Sequence, residues 1–362
     1  MSNKGEWHNE KRTDIYRKIV ICILLVVISM SCFSGCNAKK GFTYWTDGTS
    51  SLAELTDYVK AVTCKNSKDF IPVKDRIAVF DLDGTLIGEL APTYLDWVLY
   101  AYRVLDDPDY QGQATEEMLE TAKYIRKIPE EGIPDWLEAA HIRDTAKAFA
   151  GMTNEEFEQY FLNFLQKDAA GFENLKYADL LYKPMIEVVN YLIKNDFTVF
   201  IVSGTGTHVC RIFLRDKLDI PPYQVVGSVY SVKPDGQGDL DGLEYNMTAK
   251  DVIVRDGAYQ IKNVKANKVK TIWEHIGQQP VLAFGNSTGD FSMAMMTTKD
   301  NPYLSKAFFV LADDDVREYG NSEKSAEFAD KVKANGWSTF SMKNDWTTIY
   351  GENVKRTTRA FN

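Results

Sequence analysis

Four short apolar runs, at 76–80, 197–202, 280–284 and 307–311, are separated by stretches of helical spacing, and each stops at small, polar or acidic residues. A strand that is apolar on both faces has to be covered on both faces. Such strands alternating with helices predict an α/β fold, a Rossmann-like parallel sheet with helices on both sides. Ligands of these sheets bind beyond the carboxyl ends of the strands. Chemistry is therefore expected where the runs stop: at Asp81-Leu82-Asp83-Gly84-Thr85, at Ser203-Gly204-Thr205, at Gly285-Asn286-Ser287-Thr288-Gly289-Asp290 and at Asp313.

The segment between the first two runs has a different character. From Leu86 to about 178 the pattern has helical period, broken at Pro108, Pro129 and Pro134, with a capping signal at Thr153-Asn154-Glu155-Glu156. This predicts a helical cap domain at 86–178, inserted into a core made of 36–85 and 179–362. Two alternating segments, Gln224–Val232 and Tyr259–Val264, predict a small β excursion between the second and third runs.

The first 35 residues read as an address. Lys11, Arg12, Arg17 and Lys18 precede an unbroken apolar run from Ile19 to Ile28, too short to span a bilayer comfortably. Ser34-Gly35-Cys36 then resembles the cleavage site of a bacterial lipoprotein, with Phe33 where leucine is usual. The expectation is an exported protein of the cell envelope, held to a membrane by acyl chains on Cys36. Cys64 and Cys210 would remain in the folded body, and two cysteines so far apart read as separate thiols.

At the first strand end, two carboxylates one residue apart can both be directed into one pocket, where one attacks and the other manages protons. Taken with Leu86, the Ser-Gly-Thr at 203–205, Lys268 opening a helix ahead of Ile272, and the Gly-Asn-Ser-Thr-Gly-Asp at 285–290, the order and spacing resemble the four motifs of the haloacid dehalogenase superfamily. The cap position and the β excursion look most like its phosphoserine phosphatase and phosphorylcholine phosphatase branches. The resemblance implies a Mg²⁺-dependent phosphatase acting on a small phosphomonoester. Asp81 would form an aspartyl-phosphate and Asp83 would serve as acid and then base. Thr85, Ser203, Gly204 and Lys268 would bind the phosphoryl group, with Thr85 also supporting its loop. Asp81, Asp83, Asn286 and Asp290 would form the metal site. Asn286 departs from the family pattern, which commonly has aspartate there, and brings oxygen without charge.

Charge points to the kind of substrate. The chain carries a net charge of −9, and 20 acidic against 9 basic residues fall between Leu86 and Asn190. An acidic cap repels nucleic acid and polyphosphates but tolerates a phosphoester whose far end is cationic. Glu89 stands near where the phosphoserine phosphatase branch places a glutamate against the substrate amino group. Tyr94, Trp97, Tyr100, Tyr102 and Trp136 make the cap aromatic, and aromatic faces bind quaternary ammonium. Arg211 reads as a surface residue with the phosphate as its alternative. His141, His208 and His275 show no metal-ligand spacing. A ligand-binding lipoprotein without turnover, or a phosphotransferase using an alcohol in place of water, would share these features.

Overall fold

The computed structural model describes residues 41–361, and Phe42 onward forms one unit. The export signal and Cys36 lie outside the described residues. Among the described residues, no helix is long and apolar enough to cross a membrane.

In chain order the strands are β1 Ile77–Phe80, β2 Phe172–Glu173, β3 Thr198–Gly206, β4 Val225–Pro234, β5 Ile253–Ile261, β6 Leu282–Gly285, β7 Lys306–Leu311, β8 Ser338–Ser341 and β9 Lys355–Arg356. Seven of them form one sheet in the order β5-β4-β3-β1-β6-β7-β8, parallel throughout except for β5. This is the expected α/β fold. The period of two along β1 divides the core. Ala78 and Phe80 face a layer containing Leu55, Val59, Val188 and Val189, while Ile77 and Val79 face one containing Ile272, Met293 and Val332. Phe80, Phe284, Phe308 and Phe340 stack in sequence across four neighbouring strands at centroid distances of 4.0, 5.6 and 5.0 Å, forming an apolar floor beneath the strand ends.

Two expectations need adjusting. The β excursion is not separate from the core: β4 begins in the parallel sheet, with Ile201 opposite Val225, and then continues outward as the partner of an antiparallel β5. That β5 runs from Ile253 to Ile261, earlier than the predicted Tyr259–Val264. The edge strand β8, with only Phe340 fully inward, carries too few apolar residues to stand out in the sequence.

Helices at Leu95–Leu105, Glu116–Ile125, Leu137–Ala148 and Asn154–Leu165 fill the segment between β1 and β2. The Asn154–Leu165 helix starts at the predicted Thr153, whose hydroxyl accepts from Glu156 N while the Glu156 carboxylate accepts from Thr153 N. The carboxyl-terminal tail straps both chain crossings at the ends of this helical segment. β9 pairs with β2, Thr357 N donates to Gly171 O, and the Arg359 Nε donates to Pro92 O at 3.0 Å.

At the base of this strap Glu318 is fully buried, accepting from Tyr319 N at 3.0 Å and from the Tyr350 hydroxyl. Burial pushes its carboxyl up from 4.5 to about 7. The folded protein thus keeps a proton that the unfolded chain gives up, so this contribution to stability is complete below about pH 4.5 and is lost as pH rises through about 7. Urea midpoints of the wild type should fall between about pH 5 and 8 more than those of Glu318→Gln, by up to about 3 kcal/mol in unfolding free energy. Parallel curves for the two proteins would remove Glu318 as a source of the pH dependence.

Candidate active site

The three central strands, β3, β1 and β6, end side by side, and the polar segments that follow them meet there. Asp81 N donates to Phe284 O, so the first loop leaves the sheet already tied to β6. The chain then folds back at once: Leu86 and Ile87 both donate to Leu82 O, and Gly84 N donates to Ile87 O at 2.7 Å. Gly84 sits at φ +75°, and a Cβ there would lie 1.9 Å from Asn286 Nδ2 and 2.7 Å from the Glu89 carboxyl carbon. Glycine is needed here for both conformation and space, since Asn286 and Glu89 converge over its bare backbone.

Lys268 is 2% exposed and its ammonium lies 2.5 Å from Asp81 Oδ1 and 2.6 Å from Asp290 Oδ1. Two carboxylates hold it charged, and its pKa is raised. Burial, helped by the Asp290 carboxylate, pushes Asp81 up to about 8 against the pull of Lys268. Asp83 is also raised by burial, although Thr205 Oγ1 donates to its Oδ2 at 2.8 Å and Ser203 Oγ lies at 3.4 Å from the same oxygen. Asp83 Oδ1 is buried with no partner. These two shifts share a cause, the loss of water around a carboxylate, to which the Asp290 charge adds at Asp81.

The cavity above these residues measures about 140 Å³ and includes Asp81, Asp83, Glu89, Asp96, Glu138 and Asp290 in its wall, against two lysines, Lys262 and Lys268. At the ~30 Å³ that water occupies in the liquid, this volume is equivalent to about five waters, space for a small molecule. Tyr94 and Trp97 line it with ring centroids 5.3 Å apart. Glu89 and Asp96 are both pushed up by burial, to about 8 and about 7.

The predicted residues thus converge with some changes of role. Asp81, Asp83, Glu89, Gly204, Lys268, Asn286 and Asp290 all line the cavity. Ser203 does not. It is fully buried, and its hydroxyl accepts from Thr205 N at 3.0 Å while facing Asp83. Thr85 is also fully buried outside the cavity wall, its hydroxyl without a partner. Asp290 departs most from expectation. Its Oδ1 is taken by Lys268, and its Oδ2 accepts from Asn286 N at 3.0 Å and Ser287 N at 3.2 Å. With both oxygens committed, it orients the lysine and the loop, so it is a poor choice of metal ligand. Of the aromatic residues, Tyr100 is buried in the helical segment and donates to Met118 O, while Trp136 packs on Tyr124 with half its surface exposed. Arg211 lines a different cavity. Cys64 and Cys210 are free thiols.

Nothing in the sequence pointed directly to Asp96, Glu138 or Lys262, and Thr205 stood out only as the last residue of Ser203-Gly204-Thr205. The one available signal was Asp96, an acid followed by Trp97-Val98-Leu99-Tyr100 in a helix that turned out to be buried around most of its circumference.

A hard cation fits this donor set. The unpartnered Asp83 Oδ1, Asp81 and the Asn286 amide oxygen are all oxygen donors around an over-negative cavity. Among the described residues, no three His, Cys, Asp or Glu side chains form a ready metal cluster. Mg²⁺ does not need one, because it is commonly held by one or two carboxylates with waters and substrate phosphate completing its shell.

A doubly wound α/β core with two buried carboxylates and a buried lysine at its strand ends has the layout of an enzyme core. The chain belongs to the haloacid dehalogenase-like hydrolases, whose sequence profile matches residues 78–295. Among solved structures, a protein of unknown function from Bordetella pertussis Tohama I is 13% identical, over 73% of this chain and 97% of its own, at a TM-score of 0.46. A conserved protein of unknown function from Anaerococcus prevotii DSM 20548 is 14% identical, over 84% of this chain and 95% of its own, at 0.48. A phosphoserine phosphohydrolase-like protein from Francisella tularensis subsp. tularensis SCHU S4 is 14% identical, over 66% and 88%, at 0.36. Nothing about substrate follows from likenesses of this grade. No curated protein matches the sequence.

Proposed function

We propose that this hydrolase is a Mg²⁺-dependent phosphatase for small phosphomonoesters with a cationic or zwitterionic far end, acting through an aspartyl-phosphate on Asp81. The observation that carries the reading is Lys268, held between Asp81 and Asp290 and facing the same cavity as Asp83. Asp81 Oδ attacks phosphorus, the bond to the ester oxygen breaks, and Asp83 gives that oxygen a proton. Water then attacks the acyl phosphate, loses its proton to Asp83, and frees phosphate and the Asp81 carboxylate. Thr205 orients Asp83 for both steps through the 2.8 Å hydrogen bond. Lys268 offsets charge on the phosphoryl oxygens, and Asp290 keeps it in place. Asp81 and Asn286 would hold Mg²⁺, leaving the Asp83 carboxyl to carry the proton, and the metal's charge, when bound, lowers the repulsion between carboxylate and phosphate dianion.

The substrate class rests on the imbalance of the cavity. Glu89, Asp96 and Glu138 line the same cavity as Tyr94 and Trp97, with Glu138 paired to Lys262 at 3.8 Å, and a phosphoester carrying an ammonium at its far end complements the surplus of carboxylates and the aromatic faces. Phosphoethanolamine, phosphocholine and phosphoserine should exceed nucleoside monophosphates and sugar phosphates in kcat/KM. Glu89→Gln should cost the amino-bearing substrates roughly 1.5–3 kcal/mol of transition-state binding, about 10- to 150-fold, and spare an aryl phosphate. A wild-type preference for nucleotides, or equal losses on both substrates, would overturn the cationic assignment.

We also propose that the chain works outside the cytoplasm as a lipoprotein acylated at Cys36, with 86–178 as its cap. The short apolar run and Ser34-Gly35-Cys36 support the anchor. Cys36→Ser should move the protein out of the membrane fraction or leave its signal uncleaved. Intact mass showing residues 1–35 still joined to an unmodified Cys36 in the wild type would replace acylation with an uncleaved anchor.

A further inference from the structure

A second cavity, about 840 Å³, opens between the Asn154–Leu165 helix and the Thr207–Leu214 helix with the turn that follows it. It shares no lining residue with the catalytic cavity. Phe157, His208 and Arg211 line it, and Arg255 of β5 stands directly behind, with Nη1 3.4 Å from His208 Nδ1.

Among the described residues, no acid pairs with either arginine. Arg255 is 3% exposed, with its guanidinium 4.0 Å from the centre of the Phe157 ring and 5.3 Å from that of Tyr230, and its Nε has no partner. The Arg211 Nε is likewise buried without a partner. Of the acids in the cavity wall, Glu158 is held by both terminal nitrogens of Arg215, while Asp216 and Asp219 are exposed to solvent. Burying a guanidinium is costly unless an anion accompanies it, and arginine does not escape the cost by giving up its proton. Burial and the two guanidinium charges together hold His208 down at about 4, so its Nδ1 accepts from Arg255 and its Nε2–H remains a donor. Two charged forks and one neutral imidazole donor are the groups that recognise phosphate or carboxylate oxygens.

We propose that this cavity is a second binding site, for an oxyanion, in which Arg211 and His208, backed by the charge of Arg255, hold a phosphate or carboxylate group of a molecule larger than the catalytic cavity admits. Its position gives an occupant leverage. Arg211 is on the helix that follows the Ser203-Gly204-Thr205 end of β3, and β5 is bridged to the turn before the Asn154–Leu165 helix by Arg255 N to Met152 O and Gly151 N to Arg255 O, each 2.9 Å. A bound anion therefore adds to a seam between the core and the helical segment where Phe157 packs on Arg255 and Glu158 pairs with Arg215.

Inorganic phosphate is the probe, counted by equilibrium dialysis against the full-length protein and its variants. The wild type should bind two phosphates per chain. Arg211→Gln should lose one of them, with affinity weakened at least tenfold; Arg211→Lys should keep most of it; Lys268→Met should lose only the other. If the catalytic assignment is wrong, a single phosphate lost with Arg211→Gln and kept by Lys268→Met still supports this site. No bound phosphate, or a single phosphate lost only with Lys268→Met, overturns it, as does an Arg211→Gln protein that keeps both. The urea midpoint of Arg211→Gln separates loss of the site from loss of the fold.

Discussion

Asp81→Asn should lower turnover of every phosphomonoester by at least ~10³-fold while leaving the protein as stable as the wild type or more so. An amide of the same shape keeps the packing but is not a nucleophile, so the covalent route closes. The stability half of the expectation comes from the charges. Asp81 is buried beside the Asp290 and Asp83 carboxylates, and burial and like charge together raise its pKa to about 8. Removing that acid relieves repulsion, while Lys268 retains Asp290 at 2.6 Å as its partner. A fall in kcat with an unchanged or raised urea midpoint is what a nucleophile predicts and what a structural carboxylate does not. Activity above about 1% of wild type, measured on an aryl phosphate with Mg²⁺, would end the covalent mechanism.

How much of this could be read from the sequence depended on where each residue sits relative to a strand. Asp81, Asp83, Ser203 and Asn286 immediately follow or end apolar runs, and an apolar run bounded by turn residues fixes its own ends. Lys268 was legible only through the resemblance, since a lysine opening a helix is ordinary by itself. Glu138 and Lys262 were beyond reach because nothing local marks them. Glu138 reaches the cavity only once the Leu137–Ala148 helix is laid over the strand ends, and Lys262 only because β5 turns back along β4. The place of Asp290 was legible and its role was not: four residues from Asn286 it fits a ligand set, but the helical turn at Thr288–Asp290 brings its Oδ2 back onto the loop amides. The same reasoning explains Arg211, which the helix after β3 carries into a separate cavity that no local pattern marks.

Lys268→Met should have the largest effect on stability of any single change in the site, and the effect should depend on pH in a direction opposite to that of ordinary acid denaturation. The ammonium bridges two buried carboxylates whose charges it offsets, and removing one member of such a group leaves uncompensated buried charge, a loss of about 3–5 kcal/mol. Because those carboxylates raise the pKa of Lys268, its contribution in the wild type is complete at all pH values below the ordinary lysine value of 10.5. In the variant, the acids regain neutrality only by binding protons. The folded state then takes up protons that the unfolded chain releases, so stability is highest at low pH and falls as pH rises toward neutrality. Urea midpoints at about pH 5 and about pH 8, without divalent cations, should lie close to wild type in the first case and well below it in the second. Activity should fall by ~10²–10³-fold, as expected for removing one preorganised charge from a phosphoryl-transfer site. Adding Asp290→Asn to Lys268→Met should restore part of the stability at pH 8 without restoring turnover, since it removes one of the two unpaired acids but not the need for a cation. A Lys268→Met protein with wild-type midpoints at both pH values would mean that Asp81 and Asp290 find their compensation elsewhere, and the charge account of the whole cavity would have to be redrawn.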